Sequence, residues 1–398
     1  MPFSIIHKDL PSAFYTSFGR NAALCFSVPG RVELGGNHTD HQLGLVMAAS
    51  VDCDTRAAAA SNADGHVRVL SEGYPLVDID ISDSRFTVPR EEEKASPAAL
   101  VRGVLAALSV YGTPSGFDAV ITTDVLPGSG LSSSASFEVL IAAMADRFSG
   151  TGLSPVQLAQ AAQKAENLYF GKPCGLMDQI ACATGGAVKI DFEDITSPAV
   201  TPVLYDFSKS GHAVCIVDCG ADHADLTDEY AAVPQELAAV CSVFGKKKLR
   251  EVPEEDFLKH FQDVRVFAGD RAAVRAIHVY RENRRVLQMA DALSENDFPR
   301  FLSFVTASGR SSAEYLQNIT PAGQTRRQAL CCTLALMEET LGGRGAFRVH
   351  GGGFAGTALA FVPEDMLSAF VQTMDDSLFP GACKVLRIRA DGIRVTGA

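Results

Sequence analysis

Residues Pro127 to Ser136 read PGSGLSSSAS, and the apolar residues that follow fall at Phe137, Leu140, Ile141, Met144 and Phe148. That spacing is the i, i+3, i+4, i+7, i+11 pattern of one buried helix face. A Gly- and Ser-rich turn feeding a helix N-terminus is an anion site, because unpaired N–H groups and the helix dipole both favour negative charge there. Gly128 and Gly130 let the backbone approach a ligand closely, and three consecutive serines add hydroxyls for phosphate oxygens or a metal. No Gly-Lys-Ser/Thr follows, so this is not a Walker loop. The competing reading is an ordinary serine-capped helix, and the rest of the chain decides between the two.

The chain has 398 residues, enough for two domains with separate cores. It is 47% hydrophobic, which points to globular folding rather than disorder. A net charge of −12 argues against a broad nucleic-acid surface. The cationic run Lys246, Lys247, Lys248 and Arg250 sits among acids and reads as a solvated face. No stretch of about 18 apolar residues predicts a transmembrane helix. The start, MPFSIIHKDLPSAF, lacks the pattern of a signal peptide, and the ten scattered cysteines read as reduced, mostly buried thiols. The expectation is a cytoplasmic protein with no membrane, no nucleic acid and no obligate protein partner.

Strand-like runs occupy 24–35, 44–60, 66–70 and 119–126, with a helix predicted over Ala98 to Tyr111. Ser154-Pro155 is an N-cap followed by proline at the first helical position, opening a helix that stops at Gly171 and Pro173. After a strand at 212–219, long helices are predicted near 228–248, 265–292 and 322–341, then strands at 356–362 and 383–389. Strands and helices interleave in both halves, an α+β layout of two domains. Asp191, Glu193, Asp194, Pro198 and Pro202 interrupt the pattern and put the boundary near 191–205.

Four polar constellations could carry chemistry. PGRVELGGNHTDHQLG, Pro29 to Gly44, packs Arg31, Glu33, Asn37, His38, Asp40 and His41 between apolar runs. Polar groups this dense cannot all be buried unpaired, so they line water or a polar ligand. A metal held by His38, Asp40 and His41 has no further ligand cluster to complete it, and a ring of sugar hydroxyls fits better. Glu166 and Asp178, on either side of a Gly-Lys-Pro-Cys-Gly turn, supply what phosphoryl transfer needs: a metal ligand and a group to orient the attacking hydroxyl. HGGGFAG, His350 to Gly356, satisfies a dinucleotide glycine pattern, but a strand and not a helix follows it. It reads as a glycine loop between strands. Cys219, Asp222, His223 and Asp225 have irregular spacing and read as a loop with one or two ligand contacts.

The glycine-bearing segments, in this order, resemble the three motifs of the GHMP small-molecule kinases, and more narrowly those of the galactokinase family. The likeness spans the sugar motif at 29–44, PGSGLSSSAS, CGLMDQ at 174–179, the segment from His223 to Tyr230, and HGGGFAG. It implies a two-domain fold: an N-terminal ribosomal-protein-type β-α-β domain over 1–198 with phosphate loop and sugar motif, and a C-terminal ferredoxin-like domain over 199–398. It implies ATP-dependent phosphorylation of D-galactose at the anomeric hydroxyl, with Mg²⁺ as cofactor and galactose and MgATP as partners. Asp178 falls on the catalytic aspartate and Arg31 on the arginine that stabilises the transition state. Ser134 and Glu166 fall on the Mg²⁺ ligands. Gly128, Ser129, Gly130, Leu131, Ser132, Ser133 and Ser134 fall on the triphosphate loop, and Ser71 on a further nucleotide contact. Asn37, His38, Thr39 and Asp40, with Asp178 and Tyr230, fall on the sugar contacts. The family usually has Glu-His-Thr-Asp-Tyr-Asn and Arg-Val-Asn where this chain has Asn37-His38-Thr39-Asp40-His41-Gln42 and Arg31-Val32-Glu33. In the family the glutamate bonds the hydroxyl on the sugar's sixth carbon, so Asn37 is expected to weaken that contact by about 1 kcal/mol and to raise tolerance for galacturonate. The alternatives are a kinase for N-acetylgalactosamine or galacturonate, and a catalytically silent galactose sensor. The intact phosphate loop and Asp178 argue against the sensor.

Overall fold

A computed structural model describes residues 9–125, 128, 130–221, 226–354 and 356–398. Among these, the strands are β1 (Leu24–Gly35), β2 (Leu45–Ser61), β3 (His66–Ser71), β4 (Val77–Asp80), β5 (Phe117–Thr123), β6 (Ala187–Asp191), β7 (Ala199–Val203), β8 (His212–Asp218), β9 (Ala346–His350), β10 (Thr357–Pro363), β11 (Cys383–Leu386) and β12 (Arg394–Gly397). The chain forms two compact units that no single cut separates. The first comprises Met1–Arg31, Ser50–Gly186 and Arg389–Ala398, and the second Val32–Ala49 and Ala187–Ile388. The segment 32–49, which the sequence reading assigned to the N-terminal half, therefore groups with the second unit.

In the first unit the strands run in the order β12-β1-β2-β5-β3-β4. β3 and β5 pair in parallel, Val67 opposite Phe117. Parallel neighbours need a crossover, and the helix Pro97–Leu108 supplies it. Ser96 caps that helix and Pro97 opens it, and the buried Leu100, Val101, Val104, Leu105 and Leu108 confirm the predicted face. The helix Pro155–Ala165 begins with a complete capping box, Ser154 and Gln157 bonding each other's backbone N–H. It does not continue as an α-helix to Phe170. From Glu166 to Phe170 it widens into a π turn, in which the Gly171 N–H donates to the Glu166 carbonyl at 3.0 Å.

The second unit carries an antiparallel sheet ordered β11-β8-β10-β9. Numbered by its own four strands this is 4-1-3-2, with helices in the β8–β9 and β10–β11 connections, the ferredoxin-like arrangement. Its core is Cys215, Val217, Val349, Ala358, Ala360 and Val362, roofed by Leu330, Met337, Phe370 and Met374. β6 and β7 pair as a hairpin in the stretch expected to hold the domain boundary, with Val188 opposite Pro202. The helix predicted over 265–292 is two, Phe261–Ala268 and Asp270–Ser294, because Gly269 at φ +94° breaks it. The helix Phe298–Ser311 has no counterpart in the sequence reading, and the one predicted from 322 starts at Ala329. Phe298–Ser311 also ends in a π turn, Ser312–Leu316, with the Gln317 N–H donating to the Ser312 carbonyl at 2.8 Å. No helix of the described residues is long and apolar enough to cross a membrane. The cysteines are free thiols, six of them buried, while Cys331 and Cys332 are exposed.

Candidate active site

In the first unit the phosphate loop leads into the helix Ser133–Ser149. Ser132, the residue before it, sits in the left-handed region at φ +61° and makes no side-chain cap to the helix. The serine-capped reading is thereby set aside, since no Ser132 hydroxyl competes for the first-turn N–H groups. The Ser132 Oγ instead donates to Asp178 Oδ2 at 2.5 Å. Ser129 lies outside the described residues.

Arg31 closes on the same carboxylate. Its Nε donates to Asp178 Oδ1 and its Nη2 to Oδ2, both at 2.8 Å, the planar bidentate geometry that a guanidinium suits best. The Arg31 Nη1 donates to the Gly130 carbonyl at 2.6 Å and its backbone N–H to the Leu131 carbonyl at 3.1 Å, so the arginine is fixed to the loop. Gly30 is needed for this approach: a Cβ there would stand 2.9 Å from the Leu131 carbonyl oxygen. Burial alone would raise the Asp178 pKa, but the Arg31 charge, its hydrogen bonds and the Ser132 hydroxyl outweigh it and hold the carboxyl below its ordinary value. Asp178 opens the helix Met177–Thr184, where the dipole also favours a carboxylate.

Beside this pair, Ser134 Oγ donates to Glu166 Oε1 at 3.1 Å, and Lys172 Nζ lies 3.4 Å from the same oxygen. The Gln179 amide donates to Glu166 Oε2 at 3.0 Å and to Glu138 Oε2 at 3.3 Å. Glu138 is fully buried, and that burial, with Glu166 close by, pushes its pKa well above the usual carboxylate range. The sequence reading did not single it out, because the helix Ser133–Ser149 is buried on almost every side and not on one face. A cavity of about 500 Å³ opens against Ser133 and Ser134 and is walled by Tyr74, Leu100, Ile121, Phe137 and Phe170. Ser71 lines it as well, and its buried hydroxyl has no partner among the described residues. An apolar slot ending in serines and uncapped amides suits a nucleotide base with a phosphate tail.

The second unit gathers the polar residues of the sugar motif. Asn37 and Thr39 are almost wholly buried. Thr39 Oγ1 lies 2.8 Å from the Gly36 carbonyl and 2.6 Å from that of Leu45, which ties the motif's turn to β2. The Asn37 Nδ2 donates to the Gly351 carbonyl at 2.7 Å and to Glu33 Oε1 at 3.1 Å. Its Oδ1 accepts from Asn318 Nδ2 at 2.8 Å and from Ser312 Oγ at 3.3 Å. Glu33 is ion-paired with Arg348 at 2.5 Å, both buried.

His38 and His41 form a directed chain. The Leu249 N–H donates to Gln42 Oε1 at 3.0 Å, which fixes the amide so that its Nε2 donates to His41 Nδ1 at 3.2 Å. His41 Nε2–H then donates to His38 Nδ1 at 3.2 Å, and His38 Nε2–H to the Gly352 carbonyl at 3.0 Å. Both rings are neutral in this arrangement. Burial lowers the pKa of each, that of His41 to about 3, with the neighbouring His38 ring and the Lys248 charge further disfavouring its protonation. Each ring spends its one lone pair on a protein donor, so the arrangement offers a metal nothing to bind; no group of three or more His, Cys, Asp or Glu that could hold one occurs among the described residues.

The glycine loop lies between β9 and β10, as expected. Its close contacts are with the protein itself. A Cβ on Gly352 would stand 2.4 Å from the Tyr230 ring, and one on Gly353 would stand 2.1 Å from the Asn318 carbonyl oxygen. Tyr230 Oη donates to the Gly353 carbonyl at 2.8 Å. Asp40 accepts from the His41 N–H at 2.8 Å. Asp222, His223 and Asp225 lie outside the described residues.

Residues 12–61 match the family described as "Galactokinase galactose-binding signature", and residues 99–186 match "GHMP kinases N terminal domain". A galactokinase of Mannheimia succiniciproducens is 32% identical over 380 residues, covering 93% of each chain. A galactokinase of Actinobacillus pleuropneumoniae is 30% identical over 88% of each. Among solved structures, Lactococcus lactis galactokinase in complex with galactose superposes with a TM-score of 0.80 at 25% identity, over 98% of this chain and 99% of that one. With an α+β fold of two sheets, a phosphate loop built on glycine and serine, and relatives matched nearly end to end, this chain is a kinase that belongs to the galactokinase family of the GHMP kinases.

Proposed function

We infer that the chain transfers the γ-phosphoryl group of ATP to the anomeric hydroxyl of D-galactose, giving galactose 1-phosphate and ADP. The observation that carries the reading is the Asp178 carboxylate, held by Arg31 and Ser132 at the mouth of an uncapped phosphate loop. Phosphoryl transfer needs little covalent help from the protein, and positioning plus electrostatics supply most of the rate.

Asp178 orients the sugar hydroxyl and takes its proton late. Its lowered pKa makes it a weak base at neutral pH, so full deprotonation before attack would be steeply uphill. Acceptance becomes favourable only as the oxygen bonds phosphorus and the proton turns acidic, which suits a loose transition state. Arg31 carries the positive charge that meets charge building between nucleophile and phosphate. The first-turn amides after Ser132, with the loop glycines, receive the phosphates, and Ser71 with the apolar slot receives the nucleoside. Ser134 and Glu166 offer an adjacent hydroxyl and carboxylate, hard oxygen donors suited to Mg²⁺, which typically takes one or two protein ligands and fills the rest from phosphates and water. When bound, Mg²⁺ would neutralise phosphate charge. Asp40 and Tyr230 supply polar contacts of the second unit to the sugar, while the His38 ring, both nitrogens engaged, holds the Gly352 carbonyl in place.

Coupled ADP release with galactose, N-acetylgalactosamine and galacturonate tests the reading. Galactose should give the highest kcat/KM by a wide margin, and its phosphate product should show the acid lability of an anomeric ester. Turnover on another sugar with none on galactose would overturn it.

A further inference from the structure

Glu33 and Asn37 are two of the departures from the family pattern, and they are bonded to each other. Where the family has an amide at the first position and a carboxylate at the second, this chain has the reverse. The buried pair still holds one carboxylate and one amide. Only its charge has moved four residues along the chain, onto the side chain that Arg348 neutralises.

The Asn37 amide has two N–H donors and two acceptor lone pairs. Gly351 and Glu33 take the donors, and Asn318 and Ser312 take the lone pairs. Its backbone carbonyl is engaged too, 3.0 Å from His278 Nε2. No polar position of its side chain remains for a ligand. Each of the four bonds leads to a different piece of the unit: β1, the glycine loop, the π turn and the segment after it.

We propose that Asn37 is a positioning residue and not a sugar ligand: with Glu33 and Arg348 it forms an exchanged polar pair that fixes the glycine loop. The proposal rests on the galactose reading for its kinetic arm only. It replaces the expectation that the side chain at 37 tunes recognition of the sixth carbon.

Asn37→Asp is the incisive change, because it keeps shape and alters only the donors. Two of its neighbours, the Gly351 carbonyl and the Glu33 carboxylate, are acceptors, so an ionised aspartate meets repulsion on both. The ionisable groups facing it are Glu33 from β1, Arg348 from β9, His38 beside it, and His278 and Glu282 from the helix Asp270–Ser294. Taking up a proton restores one donor, so the defect should ease on acidification. Adding Glu33→Gln returns the pair to one carboxylate and one amide and should repair it.

The measurement is kcat and KM for galactose and for 6-deoxygalactose, with thermal melts, at pH 6 and pH 8. The expected result for Asn37→Asp is a KM for both sugars raised at least about tenfold at pH 8 and about threefold or less at pH 6. KM for ATP should be unchanged. The double variant Glu33→Gln/Asn37→Asp should return within about threefold of wild type at both pH values. A loss confined to galactose, with 6-deoxygalactose spared, would mean that Asn37 touches the sixth-carbon hydroxyl and would overturn the proposal. So would a double variant as damaged as the single one. If the single variant does not fold, a folded double supports the pair and an unfolded double refutes it. Wild type inert towards galactose would sink the galactose reading instead, and the melts of the single and double variants would still decide the pairing.

Discussion

The two units handle polar side chains in opposite ways. In the first, Ser132, Ser133, Ser134 and Asp178 remain partly exposed, Ser132 does not cap the helix N-terminus, and Ser71 keeps a buried hydroxyl without a partner among the described residues, beside the nucleotide-sized cavity. In the second, Glu33, Asn37 and Thr39 are buried, and the bonds of Asn37 and Thr39 run to the protein. A site for phosphate can be left open because water solvates it cheaply until the ligand arrives. A site for a neutral sugar needs its few contacts held still, since each is worth only about 0.5–1.5 kcal/mol and any slack removes it. On the proposed reading, polar density in the first unit marks ligand contact, and in the second it marks the scaffold behind the contact.

The sharpest way to break this contrast is at Asp178. Asp178→Asn should lower kcat about 10³-fold, within the usual range for a removed general base, with nucleotide affinity held within about threefold. ADP release and titration with a non-hydrolysable ATP analogue measure the two. A variant that keeps most of its turnover would leave Asp178 as scaffold, no different from Asn37.

Thr39→Val tests the other side. It removes the one hydroxyl proton that two buried carbonyls share, so stability should fall by about 1–2 kcal/mol in denaturant melts, while KM for galactose stays within about twofold. A large rise in KM without a stability change would return Thr39 to the ligand.

Glu166→Gln and Ser134→Ala should each raise the Mg²⁺ concentration for half-maximal rate by about tenfold, the low end for a perturbed metal shell. Identical Mg²⁺ titrations in both variants would remove these two residues from the metal.

The last test concerns His41, whose effect shows only as the pH is lowered. It stays neutral in the folded protein down to about pH 3, whereas in the unfolded chain it titrates near 6.5. Below pH 6.5 the unfolded state binds the extra proton, so stability is full above that value and falls as the pH drops towards 3. His41→Tyr, which restores the family's residue, should flatten the profile of unfolding free energy, from denaturant melts, between pH 6.5 and 4 by up to about 1.4 kcal/mol per pH unit. Parallel profiles would show that His41 is not the group responsible.

What the sequence made legible follows the same division. The phosphate loop could be read because its glycines, serines and following helix are contiguous, and because Glu166 and Asp178 flank one turn. The strand after HGGGFAG was readable from its apolar run, which excluded a dinucleotide loop correctly. Polarity says nothing of what a side chain faces, however. Asn37 and Thr39 find their partners through Gly351, Asn318 and Leu45, and only the fold brings those near. β7 escaped notice because prolines suggest a break, yet it pairs only with β6 and a strand on a sheet edge tolerates Pro202. The helix at Phe298–Ser311 was within reach. Asp297 caps it and Pro299 stands in its first turn, the same signal that was recognised at Ser154-Pro155.

The two π turns bear on how this chain can change in length. Each is an α-helix carrying one residue too many, with i→i+5 bonds from Glu166 and Ser312 where i→i+4 would be regular. Glu166 opens the first turn beside Ser134, and Ser312 opens the second beside Asn37, with Asn318 just past its end. Deleting a single residue such as Leu168, whose side chain is mostly exposed, would let the helix close into its ordinary register. Everything beyond it would then swing by about 100°. At these two places the protein is more sensitive to the count of residues than to their kind, and a one-codon deletion there would do what few substitutions could.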